Sequence, residues 1–158
     1  MSTPTPSFSH LDSEGTARMV DVSAKPISAR TAIASGSIRL RAETLILIES
    51  NQIGKGNVLA AARIAGIQAA KKTSELIPLC HTLMLDFVGL DFEMRADGVG
   101  IRCEVRTTGR TGAEMEALSG VSVAGLTIYD MCKAVDKQMV IGEITLERKS
   151  KSGESAAD

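Results

Sequence analysis

Apolar residues along this chain change their spacing several times, and each change marks an element. Over 30–43, Ile33, Ile38 and Leu40 stand among small and polar residues in a loose alternation. That pattern predicts a strand ending near Ala42. "ETLILIESN" (43–51) reads as a short helix and "QIGKG" (52–56) as a loop by its glycines. Asn57 suits the cap of the next helix, because its side-chain oxygen can accept from a free N–H at a helix start. That helix, "VLAAARIAGIQAAKKTSEL" (58–76), is alanine-rich and is broken at Pro78. "LMLDFVGLDFEMRAD" (83–97) alternates loosely, whereas "GVGIRCEVRTTGR" (98–110) alternates cleanly through Ile101, Cys103 and Val105. "ADG" between them is a hairpin signal. A long helix is expected over 113–137, and "MVIGEITLERK" (139–149) closes as a strand. With the two early helices taken as one crossover, the order is βαββαβ. This predicts an α+β, ferredoxin-like fold: a four-stranded antiparallel sheet with helices packed on one face. One domain is expected over 10–149, between a Ser/Thr/Pro-rich start (1–9) and a polar tail (150–158), both expected to be disordered.

The long helix carries the most informative pattern. At 100° per residue, Ala117, Val121, Ala124, Ile128, Met131 and Val135 form one stripe, the seam against the sheet. Asp130, Lys133 and Lys137 point the other way, together with Ser119, Val123 and Leu126, so that face is not simply solvated. Gly120, Ser122 and Gly125 thin the flanks. A helix that is apolar or small nearly all round is buried on several sides. One domain has too few elements to cover it, which predicts a subunit interface here. Asp130 and Lys133 are then either a surface i,i+3 pair or part of a site; Lys137 fits a helix end.

Composition narrows the function classes. There are 18 basic and 19 acidic residues, a net charge of −1, so a nucleic-acid footprint is not expected. No run of about 18 apolar residues predicts a membrane span, and "MSTPTPSFSH" lacks the apolar core of a secretory signal. Aromatics are only 3%, so the core rests on aliphatic residues and Met. Cys80, Cys103 and Cys132 share no metal-type spacing, and an odd count does not suit a disulfide framework; reduced thiols in the cytoplasm are expected.

Several polar positions remain open. Lys55 in "GKG", just before a helix start, is either a mobile loop lysine or an anion contact. His81 is either a satisfied loop histidine or a substrate contact, and zinc is not expected for want of further ligands. Glu114 and Glu116 complement the helix dipole. Two residues apart, they diverge by roughly 160°, so at least one is expected to face elsewhere. Arg30 and Arg110 are phosphate forks or surface arginines.

Three stretches converge on one resemblance: "ARMVDVSAKP" (17–26), "KGNVLAAARIAGIQAAKKTSELIPLCH" (55–81) and "GRTGAEMEALSGVSVAGLTIYDMCKAVDKQMVIG" (109–142). Together they resemble the MoaC family, the cyclic pyranopterin monophosphate synthases of molybdenum cofactor biosynthesis, over about residues 9–149. The resemblance implies a ferredoxin-like fold, a homohexamer built as a trimer of dimers, and an active site at a subunit interface. It implies a lyase that turns 3′,8-cyclo-7,8-dihydro-GTP into cyclic pyranopterin monophosphate, releasing pyrophosphate, with no metal or organic cofactor. Matched by position, the catalytic aspartate falls on Asp130 and the two essential lysines on Lys55 and Lys133. Substrate contacts fall on Leu79, Cys80, His81, Met115 and Glu116, with Glu114 beside them and Arg30 upstream. Two positions depart from the family pattern: Asn57 replaces an acid, and Thr82 replaces a proline after "LCH". On this basis Lys55 and Lys133 are expected to depress each other's pKa, with Asp130 opposing that shift, and to serve as the acid–base pair, with Asp130 as orienter or proton carrier. The competing expectations are a non-catalytic, nucleotide-sensing ferredoxin-like oligomer and a purely structural subunit.

Overall fold

The computed structural model of the protein describes residues 14–152. The start expected to be disordered (1–9) lies outside them, as do residues 153–158. Eight elements follow one another: β1 (Ser28–Arg39), α1 (Ala42–Glu49), α2 (Val58–Lys71), α3 (Thr73–Leu76), β2 (Leu85–Arg95), β3 (Gly98–Gly109), α4 (Glu114–Cys132) and β4 (Val140–Lys151). The four strands form one antiparallel sheet in the order β2-β3-β1-β4. This is the βαββαβ, ferredoxin-like arrangement, with β1 and β3 central.

Alternation decides which face is covered. Ala34 of β1 pairs with Cys103 of β3, which pairs with Leu90 of β2, and all three are buried. They meet Ala117, Val121, Ala124 and Ile128 of α4 in one core. The opposite face carries Arg102, Glu104 and Arg106, with Arg102 also reaching Glu147 of β4. Small residues let α2 and α4 approach: a Cβ at Gly66 would sit 2.8 Å from the Gly120 carbonyl oxygen. Among the described residues no helix is long and apolar enough to cross a membrane.

Several boundaries differ from the sequence reading. β1 ends at Arg39: after one last bond, from the Leu40 amide to the Asp97 carbonyl, the chain turns into α1. The expected helix over 58–76 breaks at Lys72: the buried Thr73 hydroxyl bonds back to the Ala69 and Ala70 carbonyls, which bends the chain into α3. α4 stops at Cys132 rather than 137. Val135, expected in the seam, is 43% exposed beyond the helix end. β4 runs two residues past its expected end, because Lys151 pairs with Arg30 and the Ser152 amide donates to the Ala29 carbonyl. β4 is an edge strand, and charged, Lys-rich sequence is common there.

Candidate active site

Most of the residues singled out in the sequence fall into two groups at opposite ends of α4. At its C-terminal end, Lys55 Nζ donates to Asp130 Oδ2 at 2.8 Å and to the Asp130 carbonyl at 2.8 Å. Lys133 Nζ lies 2.7 Å from Asp130 Oδ1. Local structure explains the convergence. The last carbonyls of a helix lack partners and attract cations. Lys133 is the C-cap itself, and Lys55 reaches across to a terminal carbonyl. The loop that brings Lys55 there is built tightly. Ile53 is buried, the Gly56 amide donates to the Ile53 carbonyl, and Gly56 sits at φ +99°, a conformation that favours glycine. Asn57 caps α2 through a 2.9 Å bond from the Ala60 amide, so replacing an acid there leaves the cap intact.

The charges in this group are settled by proximity. Hydrogen bonds from Lys133 and then Lys55, reinforced by their charges, hold Asp130 down at about 2. The bond to Asp130, followed by its charge, raises Lys133. At Lys133 the opposing effect expected of Asp130 dominates, because the carboxylate touches the ammonium directly. Asp130 stays ionised and Lys133 stays an ammonium at neutral pH.

The second group lies at the other end of α4. Leu79, Cys80, His81, Glu114, Met115 and Glu116 line one cleft of about 190 Å³. Both Glu114 and Glu116 line it, while the Glu114 carboxylate also faces Lys149 of an adjoining cleft, in keeping with the expectation that at least one of the two faces elsewhere. Glu114 is the first helical residue, and the absence of a side chain at Gly112 leaves room for its carboxylate to fold back. Glu116 is 4% exposed, and burial first, with the Glu114 charge, raises its pKa. Burial, then the Glu116 charge, likewise raises Cys80, which stays a thiol. His81 Nε2 lies 2.8 Å from the Val20 carbonyl. A carbonyl only accepts, so Nε2 carries the proton and Nδ1 is left for other contacts. Thr82 donates to the Ser74 hydroxyl at 3.2 Å and ties the His81 loop to α3.

Arg30 lines an adjoining cleft of about 390 Å³ that shares Gly112 and Glu114 with the first. Its guanidinium donates to the Gly109 and Arg110 carbonyls at 3.2 Å each. Arg110 itself donates to the Lys25 carbonyl and serves as a strut for the N-terminal segment. Lys25, Lys149 and Lys151 line the Arg30 cleft too, and Lys149 faces Glu114 at 3.6 Å. The sequence reading passed over Lys25 and Lys149. Lys25 lies within a quoted stretch, but no spacing marks it, and Lys149 sat at the edge of an expected tail.

The MoaC family model matches residues 19–152. The chain belongs to the MoaC family. It is 59% identical to the cyclic pyranopterin monophosphate synthase of Novosphingobium aromaticivorans, over 92% of this chain and 94% of that protein. It is 54% identical to the protein of that name from Roseiflexus, over 96% and 98%. A molybdenum cofactor biosynthesis bifunctional protein from Chlorobaculum tepidum is 56% identical over 96% of this chain, which spans 48% of that longer protein. Within this MoaC chain, Glu116 and Asp130 lie on one unbroken helix, roughly 20 Å apart along its axis.

Proposed function

We propose that this protein converts 3′,8-cyclo-7,8-dihydro-GTP into cyclic pyranopterin monophosphate and pyrophosphate, a lyase reaction of molybdenum cofactor biosynthesis carried out in the cytoplasm. The observation that carries this reading is the convergence of Lys55 and Lys133 on one Asp130 carboxylate in a chain of this family. Rearranging the substrate ring requires protons to be delivered and removed at fixed points. Lys133, held as an ammonium, is the general acid. Asp130, ionised throughout the neutral range, orients both ammonium groups and carries no proton itself. Lys55 completes the acid–base pair when substrate displaces it from Asp130. The second group binds substrate: Leu79, Cys80, His81, Met115 and Glu116 hold the ring end, with Glu114 beside them. Arg30 lies where cations gather, in the cleft with Lys25 and Lys149. Fixed positive charge there neutralises the triphosphate and the departing pyrophosphate.

The two groups stand too far apart for one compact substrate to bridge along a single helix. We therefore assign each active site to two chains, the Lys55–Asp130–Lys133 group of one meeting the Cys80–His81–Glu116 cleft of another. Leu126, 58% exposed on α4, and the partly buried Val123 beside it suit such a contact. A homohexamer arranged as a trimer of dimers supplies it with closed symmetry. Covering the lysine group, now about half exposed, also removes the water that weakens its electrostatics.

The test is pyrophosphate release from the cyclised dihydro-GTP. The wild-type protein is expected to turn over and Lys133→Ala to lose nearly all activity. Binding without release would favour a nucleotide sensor. Turnover by Lys133→Ala within a few-fold of wild type would remove Lys133 from the chemistry.

A further inference from the structure

The turn after α4 buries a carboxylate that the chemistry above does not use. Asp136 is 1% exposed, yet donors from the distant start of α1 and from its own turn surround it. Oδ2 accepts from the Arg41 amide at 2.9 Å and from the Thr44 hydroxyl at 3.2 Å, both at the start of α1. Oδ1 accepts from the Gln138 amide at 3.0 Å and faces Arg41 Nε at 3.4 Å. Arg41 Nη2 also donates to the Val135 carbonyl, so arginine and turn hold each other. The N-cap residue of α1 is Arg41, whose side chain makes no capping bond. Asp136 supplies the cap from across the fold. Burial alone would raise this carboxyl, but bonds from the Arg41 and Gln138 amides and from Thr44, with the Arg41 charge, outweigh it and lower the pKa.

The contact joins the carriers of both lysines. Lys133 stands three residues before Asp136, in a turn closed by the Val135 and Asp136 amides donating to the Cys132 carbonyl. On the other side, α1 is a rod of 8 residues whose C-terminal end leads directly into the loop bearing Lys55. The Gln52 amide locks that exit onto the Leu47 carbonyl.

We propose that Asp136 is a positioning residue: by clasping the start of α1 to the turn after α4, it fixes where Lys55 and Lys133 stand on either side of Asp130. This rests on the reading of those three residues as the reacting group. A cap that served stability alone would not need to join the two segments that carry the lysines.

Asp136→Asn keeps the size and one acceptor oxygen but loses the second acceptor and the charge facing Arg41. Its kcat for pyrophosphate release is expected to fall by up to about a hundredfold, the scale of a misplacement of about 1 Å, with KM nearly unchanged. The alkaline limb of the kcat–pH profile is expected to move to lower pH. The groups that raise the Lys133 pKa are Asp130 first and Tyr129 beside it, and a displaced lysine loses part of that hold. A purely structural cap would lower the melting temperature and leave the limb of the folded enzyme in place. Arg41→Ala keeps the amide donor and removes an exposed side chain, so it folds even if Asp136→Asn does not. It is expected to shift kcat and the limb in the same direction by less. Lys133→Ala is measured alongside. If it stays active, the reading of the reacting group fails. If it is inactive while the folded clasp variants keep wild-type kcat and limb, the assignment of Asp136 is overturned.

Discussion

Gly66→Ala probes the crossing of α2 and α4 on which the placement of both site groups depends. A Cβ at Gly66 would lie 2.5 Å from Leu90 Cδ2 and 2.8 Å from the Gly120 carbonyl oxygen. Leu90 can turn, but it is itself a core residue. The carbonyl belongs to the α4 backbone and yields only if one helix moves. Two effects oppose each other. Replacing glycine by alanine inside a helix stabilises by about 1 kcal/mol, whereas overpacking a close contact costs about 1–3 kcal/mol. Because one clash is with backbone, the cost falls in the upper half of that range, and the net destabilisation is about 1–2 kcal/mol. For a chain of 158 residues this lowers the melting temperature by about 3–6 °C. The propensity part can be measured separately in the same helix at exposed Gln68, by comparing Gln68→Ala with Gln68→Gly in the same calorimetric experiment. If Gly66→Ala melts above wild type by the difference that pair shows, α2 and α4 do not touch at Gly66 and the packing argument fails.

Three further outcomes can be checked at modest effort. Asn57→Ala removes the cap of α2 and is expected to cost about 1 kcal/mol in urea unfolding, while Asn57→Asp costs nothing because an acid also suits a helix start. Glu116 has a folded pKa above its ordinary 4.5, so it contributes full stability only below that value and loses it as pH rises through the raised pKa. Glu116→Gln is therefore expected to raise the melting temperature at pH 8 and change it little at pH 4, while turnover falls. Asp130, depressed to about 2, keeps its contribution above its ordinary 3.8 and loses it as pH falls through about 2. Its side-chain carboxyl resonance should show no midpoint between pH 4 and 9, and one in that window would contradict the assigned charges.

Much of this architecture could be read from spacing alone. The alternation through Ile101, Cys103 and Val105, the "ADG" turn and Pro78 punctuate the chain locally, and local signals survive in sequence. The opposite placement of Asp130 and the Ala117–Ile128 seam followed from helical geometry in the same way. Much of what escaped depends on partners distant in the chain. Nothing near Lys133 says that α4 ends there, since the turn is held by Asp136 meeting Arg41 and Thr44 across the fold. β4 continues into a polar segment because β1 offers it backbone partners, which composition cannot reveal. The fold-back of the Glu114 carboxylate over Gly112, which has no side chain, is a steric fact invisible to angular bookkeeping. The resemblance supplied the roles of Lys55 and His81; their own neighbourhoods in sequence left both open.

The central claim is that each active site takes its lysine–aspartate group from one chain and its Cys80–His81–Glu116 cleft from another. Mixed oligomers test it directly. Lys133→Ala subunits, inactive alone, are unfolded and refolded with an equal amount of His81→Ala subunits. If sites form between paired chains, half the pairs are mixed and each holds one intact site, so about a quarter of wild-type pyrophosphate release returns. The Lys55→Ala and Lys133→Ala mixture should recover nothing, because both lysines belong to the same group in one chain. Recovery in that second mixture, or none in the first, would contradict the account.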